Sequence, residues 1–453
     1  MHPNRGTGVV ARRDTDKNSR MPAVMRRKMA EHAACSELSH LTHEKAGCPT
    51  ARPSVSNVPC ENGMSGEYAC ENVDLLSFIS VAEMDSPGTN DIWGWTDPEM
   101  GNEIAIIALR EGSVFIDITT PSAPNVLGKL MGNGAPTSWR DIKVFRDTAY
   151  IGSEANGHGL QVFDLLRLRE RYGTDLRGPE IHQFEADYLY DEFGSSHNIV
   201  LNEASGYMYV VGSGTCSSGP HILDLNVDRL LPRFVGCVAA DGYTHDAECV
   251  TYSGPDAEFT GHEICFAYNE NTLTIWDLEN PLEPQMLSRE TYDNVYYTHQ
   301  GWLTEDQTHL FLDDELDESN GPTPNTRTMI WDVRSLRAPF LHDSYFSEFT
   351  VIDHNQYVKG NFVYQSNYCA GLQILHIDRS ADQPVLSRVG YYDNAPDCND
   401  PTFSGSWSVF PYFASGTVVF TSIERGFYAV DPSAALAPGL KGTASFVNAT
   451  RSL

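Results

Sequence analysis

The sequence predicts an all-β protein, a seven-bladed β-propeller that is closed by an N-terminal strand. A short unit recurs along the chain, and its first residue is a His or a Trp that lies about 46 to 58 residues from the next one. Each unit contains three or four short apolar runs separated by turns, and helical periodicity is almost absent. Four short strands per unit are typical of a propeller blade. The seven anchors are Trp93, Trp139, His197, His245, His299, His354 and Trp407.

The later strands of each unit follow the same pattern. The third apolar run has a shared ending, as in VFIDIT at 114–119, TIWDL at 274–278 and MIWDV at 329–333. A fourth run often follows a proline, as it does after Pro124 and Pro384. The second unit alone carries a helical pattern, at 165–173, and the fifth carries a long polar insertion, at 315–326. Such an insertion is often functional or simply mobile.

The two ends of the chain predict how the ring closes. Residues 73–84 read as a fourth strand with no blade in front of it, whereas the last unit, 405–432, supplies only three strands. We therefore expect residues 75–82 to complete the last blade and protect its edge. The predicted layout is a basic disordered tail at 1–34, a Cys-rich irregular segment at 35–72, the propeller at 73–435 and a C-terminal tail at 436–453.

The charge balance narrows the range of partners. The chain has 31 Lys and Arg against 61 Asp and Glu, a formal net charge of −30. Such a surface repels nucleic acid and anionic membranes and attracts cations. No apolar run reaches the length of about 18 residues that a membrane span needs. We expect a monomer without a transmembrane segment that binds an unknown protein, glycan or small molecule.

The ten cysteines indicate an oxidising compartment. They fall as sequential pairs: Cys35/Cys48, Cys60/Cys70, Cys216/Cys237, Cys249/Cys265 and Cys369/Cys398. The pairs at 216/237 and 369/398 lie in turns after second strands and at the ends of fourth strands, which meet on one rim of a blade. The pair at 249/265 sits symmetrically about a hairpin. Ten reduced cysteines in a cytosolic protein are the alternative, because spacing alone does not fix connectivity.

Several segments together resemble a known family. They are CENGMSGEYACENVDLLSF at 60–78, DIWGW, SWRDIKVF, THQGWL and TRTMIWDV. In combination they are similar to the secreted LVIVD-repeat proteins of the choice-of-anchor B family, over about residues 60–431. The resemblance implies a secreted or surface-attached β-propeller of unestablished biochemical activity. Residues 1–34 contain no recognisable signal peptide, and the C-terminal residues form no hydrophobic anchor, which distinguishes this sequence from the bacterial members.

The histidine anchors of blades three to six are the strongest candidate site. Because each anchor opens an innermost strand, His197, His245, His299 and His354 should lie near one mouth of the central channel. Imidazoles that converge there could bind one ion of Fe, Zn or Cu. The turns after second strands end on the same rim and carry Glu154, Glu270, Asp313, Asp314, Glu315 and Glu424. These carboxylates could bind metal or orient the imidazoles.

Two alternatives to a transition-metal site stay open. The anchor can be a space-filling aromatic position, since Trp occupies it in three blades, and each His would then bond only to a neighbouring carbonyl. The acidic run that comprises Asp313, Asp314, Glu315, Asp317, Glu318 and Asn320 could bind Ca²⁺ through oxygen ligands or could be a solvated loop.

Two function classes follow from these observations. The first is a secreted or cell-surface binding module whose rim recognises a ligand or partner. The second is a metal-dependent enzyme with a four-His site at the channel mouth. The sequence favours the first class, because a propeller fold by itself carries no chemistry.

Overall fold

Seven antiparallel β-sheets make up the computed structural model, which describes residue 28 and residues 54–321 and 323–437. Each sheet contains four principal strands, and three sheets carry one or two further short strands at the outer edge. This architecture confirms the seven-bladed β-propeller that the repeats predict.

The strands follow the predicted order of the units. Blade one contains Thr89–Thr96, Glu103–Leu109, Gly112–Asp117 and Asn125–Met131. Blade two contains Arg140–Phe145, Thr148–Ser153, Leu160–Asp164 and Tyr188–Tyr190. Blade three contains Asn198–Asn202, Tyr207–Val211, His221–Asp224 and Arg233–Cys237. Blade four contains Asp246–Thr251, Glu263–Tyr268, Leu273–Asp277 and Gln285–Glu290. Blade five contains Thr298–Leu303, His309–Asp314, Arg327–Asp332 and Phe340–Phe346. Blade six contains Gln356–Lys359, Phe362–Ser366, Leu372–Asp378 and Val385–Tyr392. Blade seven contains Ser406–Phe410, Val418–Ser422, Gly426–Asp431 and Asp74–Ser80.

The first strands of the blades surround the central channel. Each one contacts the first strand of the next blade, and the first strand of blade seven contacts that of blade one. Second strands are buried between blades; every residue of Glu103–Leu109 is buried, for example. A continuous apolar run such as IAIIAL is what a strand with both faces covered requires. Residues at the start of the first strands therefore share one mouth of the channel.

The N-terminal strand Asp74–Ser80 belongs to the last blade. It pairs antiparallel with Gly426–Asp431, and Phe78 lies opposite Tyr428. Leu75, Phe78 and Ile79 are at most 2% exposed. The sheet of blade seven thus contains strands from both ends of the described chain.

The segment 35–72, which was expected to be irregular, contains short strands in its described part. Val55–Val58 pairs with Asp74–Ser80 at the edge of blade seven. Tyr68–Glu71 pairs with Val385–Tyr392 of blade six, and Met64–Ser65 pairs with Tyr68–Glu71. The prediction missed them because runs this short show no clear periodicity, and partner strands fix their conformation.

Short helices occur at several connections. The helical pattern in blade two forms a 3₁₀ helix, Leu165–Arg171, and Asp164 caps it by accepting a hydrogen bond from the backbone N–H of Leu166. The other short helices are the 3₁₀ helices Gly178–Glu180, Cys216–Ser218 and Ala257–Phe259 and the α-helix Asp317–Asn320. Lys28 is also helical and is buried, and the rest of the segment 1–34 that was expected to be a disordered tail lies outside the described residues.

Four disulfides link described cysteines. They are Cys60–Cys70, Cys216–Cys237, Cys249–Cys265 and Cys369–Cys398. Cys249 and Cys265 face each other across two paired strands, as their symmetric spacing about the hairpin predicts. The pair Cys35/Cys48 lies outside the described residues.

Candidate metal centre

The four histidine anchors form a row at one end of the central channel. Their ring centroids are separated by 4.3 Å for His197 and His245, by 4.5 Å for His245 and His299, and by 4.5 Å for His299 and His354. The indole of Trp407 continues the row, 4.8 Å from His354. Each histidine lies within two residues of the start of its blade's first strand. Blade order along the sequence therefore sets the order of the imidazoles in space.

Two imidazoles of the row are oriented by backbone carbonyls. His245 Nδ1 donates to the carbonyl oxygen of His299 at 2.9 Å, and His354 Nδ1 donates to that of Trp407 at 2.6 Å. A carbonyl oxygen can only accept, so the proton is on Nδ1 in each ring. The lone pair of both neutral rings is then on Nε2, the atom that most often binds metal.

Carboxylates face Nδ1 in the other two rings. His197 Nδ1 lies 2.6 Å from Glu154 Oε1, and His299 Nδ1 lies 3.2 Å from Asp313 Oδ1. Asp313 Oδ1 also accepts the backbone N–H of Gln300 at 2.8 Å, which fixes the carboxyl group in place. A carboxylate on the distal nitrogen of an imidazole is a common way to orient a metal-binding histidine.

Burial keeps three of these imidazoles neutral. It lowers the pKa of His245, His299 and His354 well below the ordinary value of 6.5. Neighbouring imidazoles lower the pKa of all three rings further, and the positive charge of Lys28 adds to the effect on His299 and His354. At neutral pH their Nε2 lone pairs are consequently available to a cation.

Glu315 is the carboxylate that faces these nitrogen atoms. Its Oε1 lies 3.5 Å from His354 Nε2, and its Oε2 lies 3.9 Å from His299 Nε2. Tyr368 donates its hydroxyl to Oε1 at 2.6 Å, whereas Oε2 is buried without a hydrogen-bond partner among the described residues. The ligand atoms of His299, Glu315 and His354 all lie within 4.8 Å of one another. A cation between or beside these atoms would be attracted by the lone pairs that face each other.

Lys28 places such a cation beside the carboxylate. Its ammonium group forms a buried ion pair with Glu315 Oε1. The ammonium nitrogen also lies 4.8 Å from the ring centroid of Trp407 and 5.2 Å from those of Tyr368 and Phe403. Burial lowers the pKa of Lys28, and the charge of Glu315 opposes that effect. The ion pair with Glu315 thus offsets only part of the cost of burying the ammonium group.

A small cavity of about 20 Å³ lies against the row. The residues that line it include all four histidines and Asp91, Asp141, Lys143 and Asp246. Its volume suits one water molecule or one ion. Burial raises the pKa of Asp91 and brings that of Asp246 to about 7, so these carboxyl groups hold protons more readily than exposed ones do.

The remaining predicted rim carboxylates have other contacts. Asp314 accepts the hydroxyl of Tyr292 at 2.8 Å and three backbone N–H groups, so it holds the adjoining loop. Glu424 accepts the hydroxyl of Ser404 at 2.8 Å. Glu270 pairs through its backbone with Thr298, and its side chain bonds to Tyr297 and interacts with the imidazole of His197. Of the six carboxylates expected on the rim, four contact or approach the histidines: Glu154, Glu270, Asp313 and Glu315.

The acidic run from Asp313 to Glu318 is buried, which contradicts the solvated-loop alternative. Asp317 forms a 2.7 Å ion pair with Arg327, and the Asn320 amide donates to the carbonyl of Leu316. No three of these carboxylates bring oxygen atoms within 4.8 Å of one another in the described part of the chain. Binding of Ca²⁺ by this run stays a prediction, and it would need backbone or amide oxygens in addition to these carboxylates.

Sequence reasoning missed several members of this centre. Lys28 is 287 residues from Glu315, so nothing in the local pattern connects them. Tyr368 lies in the turn after a second strand, where only carboxylates were expected to contribute. Asp141 lies two positions after its blade's anchor, and its charge is a signal that could have revealed it.

Comparison with known proteins identifies no family. No family model matches the chain, and no curated protein matches it. Solved structures with similar folds include hydrazine synthase from Kuenenia stuttgartiensis, with 13% identity, a TM-score of 0.46 and coverage of 70% of this chain and 89% of that chain. A protein from Lactobacillus plantarum has 12% identity, a TM-score of 0.43 and coverage of 74% and 89%. The Cps50 (Swd1) β-propeller domain from Myceliophteria thermophila has 12% identity, a TM-score of 0.43 and coverage of 76% and 95%. The resemblance to the choice-of-anchor B family stays a prediction.

Proposed function

We propose that this protein is an extracellular β-propeller that binds one divalent transition-metal ion at the mouth of its central channel. His299, His354 and Glu315 are the ligands, and His245 and His197 extend the row of imidazoles beside them. One ligand atom from each of these three residues lies within 4.8 Å of the other two, and Glu315 Oε2 has no hydrogen-bond partner among the described residues; these observations carry the proposal. Two imidazoles and one carboxylate are a donor set that suits Zn²⁺ or Fe²⁺.

The orientation of the Nε2 atoms, not the Nδ1 bonds, favours metal binding over a purely structural role. A space-filling histidine needs only one bond to a neighbour, and the Nδ1 contacts supply it. The Nε2 atoms of His299 and His354 face Glu315, whose Oε2 is buried without a hydrogen-bond partner among the described residues. A buried acceptor without a donor costs about 1–3 kcal/mol. A bound cation removes that cost.

Lys28 competes with the metal for the same carboxylate oxygen. Because the ammonium group bonds to Glu315 Oε1, a dication that binds this carboxylate must displace it. Replacement of Lys28 by Met should therefore raise metal affinity. The charge distribution of the centre fits a site that holds one cation at a time.

An extracellular location is consistent with the four disulfides, which persist in oxidising compartments. Within the described residues, no helix has the length and apolar character required to cross a bilayer. The formal net charge of −30 attracts cations to the molecule. We assign the protein to the binding modules, with the metal as its ligand.

Elemental analysis of purified protein, exposed separately to Zn²⁺ and Fe²⁺ and then desalted, tests this proposal. Wild type should retain up to about one ion per chain, and His299→Ala and Glu315→Gln should each weaken binding at least tenfold. His342→Ala is the matched control, because His342 is exposed on an outer strand, and it should retain wild-type affinity.

The Lys28→Met variant distinguishes two reasons for weak metal binding by wild type: competition from the Lys28 ammonium group, and a site that cannot bind metal at all. It should bind the same ion more tightly than wild type does. If wild type and Lys28→Met both leave the column without metal, the proposed function is wrong. Equal metal content in wild type and His299→Ala would also contradict it, because the ion would then be bound elsewhere.

A further inference from the structure

A second, larger cavity of about 590 Å³ occupies the same channel. It lies on the other side of the layer of charged residues Asp91, Asp141, Lys143 and Asp246. Its lining comes from positions further along the first strands than the histidine row, such as 143–144, 246–250 and 357–358. Lys143, Asp246 and Tyr357 line both this space and the small cavity at the histidines. The large cavity therefore lies towards the opposite mouth, and its volume is typical of a small-molecule site.

Aromatic rings form one wall of this cavity. Trp93 and Trp302 each lie edge-on to Tyr357, with ring centroids 5.8 Å and 4.8 Å apart. Tyr412 packs against the same cluster, 6.4 Å from Tyr357. Trp302 and Tyr412 are only half-buried, so part of each ring remains accessible at the cavity. The wall offers π faces and apolar area to a ligand.

The charged side chains of the lining are mainly acidic. Four of its residues are carboxylic acids and two are basic; the acids are Glu203, Asp246, Glu248 and Glu305, and the bases are Lys143 and Arg146. Lys143 is already paired with Asp141 at 2.6 Å, and its ammonium nitrogen lies 4.6 Å from the ring centroid of Trp93. A cation on an aromatic face thus occurs within this channel already. An anionic ligand would meet repulsion here.

Glu248 is the acid of this lining that is buried. It is 8% exposed and accepts the backbone N–H of Leu303 at 2.6 Å. No Lys or Arg of the described residues forms an ion pair with it, and burial raises its pKa to about 8. A buried carboxyl group beside aromatic rings, in a cavity open to a ligand, is suited to receive a positive charge.

We propose that this cavity binds a small organic cation, a primary ammonium on an aromatic or aliphatic body. The ammonium group bonds to Glu248, and the body packs against Trp302 and Tyr412. This site is independent of the metal centre, because its ligand-contacting groups include none of the histidines. The end of the channel that is lined by aromatic rings would then bind a different class of ligand from the end that carries the histidines.

Binding of 2-phenylethylamine, with 2-phenylethanol as its neutral isostere, tests this proposal. Trp93, Trp95 and Trp302 line the cavity, so tryptophan fluorescence reports binding, and calorimetry gives the affinity. At low ionic strength, wild type should bind the amine at least about tenfold more tightly than the alcohol, because only the amine forms a charge-assisted bond. Glu248→Gln should remove this preference and leave alcohol binding unchanged.

Three further variants interpret the result. Glu185→Gln makes the same change at an exposed position outside the cavity and should bind the amine as wild type does. Trp302→Ala should weaken amine and alcohol alike, and His299→Ala should bind both normally. If wild type binds amine and alcohol equally or binds neither, or if folded Glu248→Gln keeps wild-type amine affinity, the proposal is overturned. If wild type binds the amine but binds no metal ion, only the proposed metal function is overturned.

Discussion

At the scale of single residues, the channel shows how burial controls protonation. The imidazoles of His245, His299 and His354 have lowered pKa values, and Asp246 and Glu248 have raised ones. Desolvation disfavours the charged form in each case, so the bases lose protons and the acids keep them. With neutral bases and protonated acids, the channel carries little charge of its own near neutral pH. A bound cation would use the imidazole lone pairs and would lower the pKa of a nearby carboxyl group.

Glu248 gives a pH prediction. Burial raises its pKa from 4.5 to about 8, so the folded state keeps a proton that the unfolded chain loses as the pH rises above 4.5. Stability should therefore fall between about pH 4.5 and pH 8 and then level off. Glu248→Gln should remove this component, which amounts to a few kcal/mol since one pKa unit corresponds to about 1.4 kcal/mol.

Denaturant unfolding of wild type and Glu248→Gln at intervals from pH 5 to pH 9 measures this effect. The difference in free energy of unfolding, variant minus wild type, should become more positive as the pH rises. Glu185→Gln should track wild type, because its side chain is exposed. Parallel pH profiles for wild type and Glu248→Gln would show that the carboxyl group titrates normally in the folded state.

The histidine row could be predicted from the sequence, whereas its cation partner could not. The repeat placed His197 to His354 at equivalent positions of consecutive blades, and propeller geometry then brings such positions together. The position of Glu315 on the same rim was also predicted, because this residue follows a second strand. The contact of Lys28 depends on where a distant segment packs, which no local pattern encodes.

At the scale of elements, the blades depend on strands from outside their own repeat. Asp74–Ser80 forms the fourth strand of blade seven, and Tyr68–Glu71 extends blade six. The first of these strands was predicted, because an apolar run without a blade preceded a blade without a fourth run. The short strands Val55–Val58 and Met64–Ser65 were not, since two to four residues carry no reliable period.

Deletion of residues 1–80 should destabilise the ring far more than deletion of residues 1–53. The longer deletion removes Asp74–Ser80, exposes the edge of Gly426–Asp431 and loses the buried side chains of Leu75, Phe78 and Ile79. Each such side chain contributes about 1.5–3 kcal/mol when buried. Thermal unfolding of both variants measures the difference.

Ile79→Ala keeps the test informative if the longer deletion does not fold. Ile79 is fully buried, so the substitution should cost about 2–5 kcal/mol. Leu76→Ala on the same strand should cost less, because Leu76 is only partly buried. Equal melting temperatures for the two deletions, or an Ile79→Ala variant as stable as wild type, would contradict the role of this strand in blade seven.

At the scale of the whole molecule, one channel carries two different cation environments. The histidine mouth offers nitrogen lone pairs and Glu315 around a space for one ion, and the opposite mouth offers aromatic rings and Glu248 around a space for a small molecule. The layer of Lys143 and Asp246 lies between them. Excess negative charge over the whole chain raises the local concentration of cations at both.

Anomalous diffraction from crystals of the full chain grown with Zn²⁺ tests the central claim most directly. Data collected on either side of the zinc absorption edge should show one peak at about 2.0–2.2 Å from His299 Nε2, His354 Nε2 and an oxygen of Glu315. Lys28 should then no longer bond to Glu315. Crystals that contain Zn²⁺ but show no peak at this position, with Lys28 still paired to Glu315, would contradict the metal centre.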